Sequence, residues 1–88
     1  MARYEIVFRR SVLKDLNPIP KKEVKRILAA IGSLADNPRP PQCRKLASEE
    51  KYRLRCGVYR ILYSIEDDKL IVCIAKIGHR KDVYRNNS

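Results

Sequence analysis

The sequence predicts an α+β domain: a small antiparallel sheet in the element order β-α-α-β-β-β, with two N-terminal helices packed on one face. Three observations predict it. Apolar residues recur at helical spacing between residues 10 and 36. After residue 51 apolar and basic residues alternate with period two. Proline-rich segments at 17–20 and 37–41 separate these stretches. Helices grouped before hairpin-linked strands leave one sheet face for a core and the other open.

Each element has a local reason. Residues 3–8 place Tyr4, Ile6 and Phe8 on one face of a strand. Val12, Leu13 and Leu16 make a short helix over 10–16, which Asn17-Pro18 ends because proline disfavours helical geometry in the residue before it. Pro20 opens a second helix running to about Asp36, with Val24, Ile27, Leu28, Ile31, Leu34 and Ala35 as its apolar stripe. Lys21, Lys22, Lys25 and Arg26 form its solvated side. Residues 37–50 read as a loop. Residues 51–56 put Tyr52, Leu54 and Cys56 on one face of a strand and Arg53 and Arg55 on the other. A second strand over 58–65 sets Tyr59, Ile61, Tyr63 and Ile65 opposite Arg60. The turn Glu66-Asp67-Asp68 leads to a third strand over 69–77, apolar on both faces and expected to be central, which Gly78 ends.

Eighty-eight residues make one domain, spanning 1–88, with one modest core. Twenty Lys and Arg against ten Asp and Glu give a formal charge of +10, which calls for an anionic partner: nucleic acid, a charged membrane surface or an acidic protein. Three cysteines without a CxxC pair argue against a disulfide framework and a zinc site, and fit reduced thiols in the cytoplasm. The N-terminus lacks the apolar core of a signal peptide, and no apolar run approaches the roughly 18 residues of a membrane span. No membrane partner is therefore expected. The single histidine and the scattered glycines supply neither a metal centre nor a phosphate loop, and no cofactor is expected.

What remains is arginine, lysine, tyrosine and one histidine. Guanidinium groups grip phosphate through paired hydrogen bonds and stabilise charge on a pentavalent phosphorus. Tyrosines stack on unpaired bases. RNA brings its own nucleophile, the 2′-hydroxyl, so a protein need only orient it, move a proton and neutralise charge. Arg60 also has a purely structural alternative, a salt bridge to Glu66 or Asp67. Tyr52, Tyr59 and Tyr63 lie on apolar faces and are expected in the core.

The segments YRLRCGVYRILYSI, KLIVCIAKIG and GHRKDVY, together with the upstream strand, helices and Lys45-Leu46, resemble the RelE family of toxins within the RelE/ParE superfamily. The resemblance covers essentially the whole chain. It implies a ribosome-dependent, metal-independent endoribonuclease that cuts mRNA in the A site of the 30S subunit of the 70S ribosome, leaving a 2′,3′-cyclic phosphate. It also implies an acidic, RelB-like antitoxin as partner. Arg60 matches a phosphate-contacting arginine, Arg80 one that stabilises charge or protonates the leaving group, and Tyr84 a tyrosine that stacks on a base or orients the 2′-hydroxyl. Arg53 and Arg55 stand where two lysines are usual. Arginine stays protonated and is a poor general base, so His79, whose side chain titrates near neutrality, is a candidate for proton transfer. The tail adds Lys81 and Arg85 to the RNA-contacting set. The alternative within the superfamily is a ParE-like toxin of the same fold that poisons DNA gyrase by protein contact.

Overall fold

The computed structural model describes residues 3–46 and 51–79. The elements are β1 (Glu5–Phe8), α1 (Arg10–Leu16), α2 (Lys21–Ser33), β2 (Cys43–Lys45), β3 (Lys51–Cys56), β4 (Tyr59–Glu66) and β5 (Ile71–His79). The strands form one sheet in the order β1-β5-β4-β3-β2. The α+β class and the two helices on one face match expectation. The sheet, however, is mixed: β1 lies parallel to β5, while β5, β4, β3 and β2 are successively antiparallel. The helices carry the chain across the sheet, and the three antiparallel turns that follow bring it back beside β1 in β1's own direction. The expected loop at 37–50 contains the short edge strand β2. Its one half-buried residue, Cys43, faces Leu54 across the ladder, and its partner β3, not its composition, makes it a strand.

The β3–β4 and β4–β5 turns each contain a residue with a left-handed backbone. Cys56 pairs with Tyr59, so Gly57-Val58 is a two-residue loop, and Gly57 has φ 61°. A positive φ at the first loop residue suits a primed turn, whose twist matches that of the flanking strands. At the β4–β5 end Leu70 takes φ 55°, and its carbonyl accepts the first β1 bond from the Glu5 N–H at 2.8 Å. The third strand accordingly begins at Ile71, not Lys69, and continues through Gly78 to His79. It is an interior strand between β1 and β4; β4 holds the middle position.

The core lies between the helices and one sheet face. Val12, Ile27, Ile31 and Leu34 meet Leu54, Ile61, Tyr63, Val72, Ile74 and Ile77, all essentially inaccessible to solvent. Tyr52 is buried and stacks on Tyr63 with ring centroids 5.7 Å apart; Tyr59 is half-buried against the same cluster. Leu28, placed by its spacing in the apolar stripe, is exposed instead. The Asp15 carboxylate of α1 accepts the Ile77 N–H at 3.1 Å, beyond the point where β1 stops covering the β5 edge.

A second set of bonds ties the segment after α2 to the β4–β5 turn. Arg39 donates to both Asp67 carboxylate oxygens, at 3.1 and 2.8 Å, and through Nε to the Tyr52 hydroxyl at 2.9 Å. The Tyr4 hydroxyl donates to Asp67 at 2.7 Å. The Tyr63 hydroxyl donates to the Pro38 carbonyl at 2.8 Å; burial, with the nearby Cys43 thiol, pushes this phenol well above its usual pKa and keeps it a donor. The Arg39 and Tyr4 hydrogen bonds hold the Asp67 carboxyl below its ordinary value of 3.8, at about 2. Folding therefore favours the ionised form. Its stabilising contribution is complete above the unfolded pKa and is lost as pH falls from about 4 toward 2. Urea unfolding at several pH values should show the parent more stable than Asp67→Asn at pH 5, with the two curves converging by about pH 2; parallel curves would show that Asp67 has no part in acid sensitivity.

Candidate nucleic-acid interface

Strand register decides which side chains share the face away from the helices. Residues directly opposite one another project to the same side of a sheet. Arg44 faces Arg53, Arg53 faces Leu62 on its other side, and Leu62 faces Lys76. One step along, Arg55 faces Arg60, and Arg60 faces Gly78, which offers no side chain there. Lys51 faces Ser64 on the same side. The structure thus brings Arg53, Arg55 and Arg60 together, as the alternation predicts, and adds Arg44, Lys51 and Lys76.

The three expected arginines sit at different depths. Arg55 is exposed, Arg53 is half-buried and Arg60 is only 4 % exposed, the buried charged side chain among the described residues. Burial fixes a long side chain before any ligand arrives, which lowers the entropy cost of using it. Of the carboxylates considered as structural partners for Arg60, Asp67 pairs with Arg39 at 2.8 Å and Glu66 with Lys69 at 3.6 Å. Gln42, Arg44, Arg53 and Arg55 line a groove of about 190 Å³ on this face.

His79 is placed differently. It registers with Tyr59, on the helix side of the sheet, and its ring meets Tyr59 edge-on with centroids 6.1 Å apart. It does not share the arginine face. Arg80, Lys81, Tyr84 and Arg85 lie outside the described residues. The Lys21–Arg26 stretch is on α2, where Arg26 pairs with Glu23 at 3.6 Å.

Of the three residues added to this face, Arg44 and Lys76 were missed for identifiable reasons. Arg44 fell in the segment read as loop, and only its pairing with Arg53 of β3 places it on this face. Lys76 is hidden by a register shift in the β4–β5 ladder. Tyr63 pairs with Ile74 but Leu62 with Lys76, so Ala75 is an extra residue and the faces exchange there. Uninterrupted alternation from Val72 and Ile74 would put Lys76 in the core. The bulge sends it to the arginine face and gives Ile77 the core position.

Comparison with known proteins fits this architecture. Residues 6–84 match the family described as ParE toxin of type II toxin-antitoxin system, parDE. Toxin RelG of Mycobacterium tuberculosis is 36% identical over 90 residues, covering 93% of this chain and 97% of that protein. Among solved structures, the archaeal RelE–RelB complex from Pyrococcus horikoshii is similar at TM-score 0.80 and 29% identity, covering 91% of this chain and 97% of the matched one. The RelBE2 toxin–antitoxin complex of M. tuberculosis is similar at TM-score 0.77 and 28% identity, covering 89% and 99%. The fold and these matches define a small basic toxin domain of the type II toxin–antitoxin class. Within that class, the chain belongs to the RelE family of the RelE/ParE superfamily.

Register sets like charges directly opposite one another on this face. A cross-strand pair of like charge is destabilising by a few tenths of a kcal/mol to about 1 kcal/mol. Arg55→Gln removes one member of the Arg55–Arg60 pair from an exposed position and should raise the free energy of unfolding by about 0.5 kcal/mol. Urea denaturation measures this; a destabilised variant would mean that Arg55 supports the fold instead.

Proposed function

We propose that this chain is the toxin of a type II toxin–antitoxin pair and that it cleaves mRNA on the ribosome without a metal. The observation that supports this best is the set of co-facing arginines in register, Arg53, Arg55 and Arg60. A surface made of guanidinium groups attracts a phosphodiester and repels a divalent cation, so the chemistry falls to the side chains and the RNA. The 2′-oxygen attacks the adjacent phosphorus, the P–O5′ bond breaks, and a 2′,3′-cyclic phosphate and a 5′-hydroxyl result. The 2′-hydroxyl proton leaves to a base, and a proton is delivered to the departing 5′-oxygen. Arg60, held in place by burial, and Arg53 and Arg55 beside it offset the charge that grows on the phosphoryl oxygens. Family resemblance assigns Arg80 to charge stabilisation or leaving-group protonation and Tyr84 to base stacking or orientation of the 2′-hydroxyl.

The antitoxin is read the same way. The similar structures from P. horikoshii and M. tuberculosis are complexes with a RelB-type partner. A chain of formal charge +10 favours an acidic counterpart, and complementary charge speeds association. Binding measured by calorimetry should weaken as salt is raised from 50 to 500 mM; an affinity independent of salt would remove charge from the recognition.

Ribosomes programmed with a defined mRNA test the activity. The protein should cleave the mRNA with EDTA present once ribosomes are prebound, and the product should end in a 2′,3′-cyclic phosphate. Arg80→Ala should slow cleavage by roughly 10²–10³-fold, the scale of removing one preorganised charge stabiliser. His79→Ala, on the Tyr59 side of the sheet, should cost far less than the roughly 10²-fold attached to losing a general base. Intact mRNA accompanied by accumulating gyrase–DNA cleavage complexes would establish the ParE-like alternative.

A further inference from the structure

The groove beside the arginine cluster has a composition that phosphate neutralisation alone does not explain. Its walls are Gln42, Arg44, Arg53 and Arg55. Three are guanidinium groups, and the fourth is a neutral amide able both to donate and to accept. Gln42 and Arg44 are exposed, on and just before the edge strand β2, away from Arg60 at the middle of the sheet. Arg44 stands directly opposite Arg53, a second like-charge pair on the same face as Arg55 and Arg60. Neither Arg44 nor Arg55 makes a salt bridge among the described residues.

Resting on the function proposed above, we infer that this groove is a nucleotide subsite flanking the scissile bond, in which Arg44 takes a neighbouring phosphate of the single-stranded RNA and Gln42 reads the edge of its base. Placement in the groove supports the division of labour. Gln42, in the turn that leads into β2, and Arg44, on β2, line the same groove two residues apart in the chain. Neighbouring phosphates and bases along an RNA strand are likewise offset from one another. A guanidinium fits a phosphate through two parallel hydrogen bonds. A carboxamide fits the adjacent donor and acceptor of adenine. Unpaired bases expose those edges, whereas the deep groove of an RNA duplex hides them.

The test uses the full chain and a short single-stranded RNA with 2′-O-methyl groups, which cannot attack its own phosphorus. Fluorescence anisotropy should show binding whose logarithm falls linearly with the logarithm of salt concentration. Arg44→Ala should bind roughly ten-fold more weakly, with the salt slope reduced by about 0.7, the share of one phosphate contact on a single strand. Arg44→Glu sets a carboxylate directly opposite Arg53. It should melt no lower than the parent yet bind RNA more weakly than Arg44→Ala, a combination that a misfolded variant cannot give. Gln42→Ala should leave the salt slope unchanged and flatten the preference between adenine-rich and uridine-rich probes by several-fold. Equal binding by Arg44→Ala and the parent, or no binding by the parent, overturns the subsite. Cleavage by the parent on programmed ribosomes, assayed in parallel, tells the two failures apart. If it persists, only the subsite is lost; if it is absent, the nuclease reading falls with it.

Discussion

A chain of this size can bury one face of one sheet, and every other feature of the molecule follows from that limit. Two helices suffice to cover Leu54, Ile61, Tyr63, Val72, Ile74 and Ile77. Among the described residues, neither helix lies on the opposite face. Serine, threonine and glutamate would cost little there. This chain instead sets Arg44 against Arg53 and Arg55 against Arg60. The core thus stabilises a sheet whose other face sets like charges directly opposite one another. Such an arrangement is the ordinary mark of a surface shaped by what it binds and not by the needs of folding.

The core is also what makes the arginine face rigid. Residues on adjacent positions of β3 and β4 alternate between the two sides, so each buried Leu54 or Ile61 fixes the direction of its arginine neighbours. A one-residue slip would send the arginines into the core, at a cost far above the domain's total stability. Guanidinium placement is thus specified by apolar packing on the far side of the backbone. The primed turn at Gly57 closes the same hairpin and sets Arg55 and Arg60 two residues from its tip.

Much of this was legible in the sequence because period-two and period-3.6 patterns are strong where one face is buried. Both helices, β3 and β4 read directly, and so did Arg53, Arg55 and Arg60 as a shared face. Three things did not read. The parallel pairing of β1 with β5 depends on where two helices return the chain, which no local pattern encodes. β2 has three residues and one half-buried side chain, so its identity as a strand comes from β3. The bulge at Ala75 exchanges the faces of β5, which hid Lys76 and left His79 on the Tyr59 side. The Arg39–Asp67–Tyr4–Tyr52 bonds were equally invisible, because they join residues separated by up to 63 positions.

The pairing of β1 with β5 has a consequence for how the molecule is made. Glu5–Phe8 are made well before Ile71–Ile74, the strand they lie against, and before Leu70, whose carbonyl accepts the first bond of the pairing. Ile6 and Phe8 therefore wait for that strand while everything between them is made, whereas the β3–β4 hairpin can form from neighbouring residues alone. Such distant pairing makes assembly slow relative to a helical bundle of the same length, since the longest loop must close last. Until it closes, the apolar β1 segment is open to chaperones, proteases or premature association. The edge of the sheet farthest from β2 can thus be completed only after β5 exists.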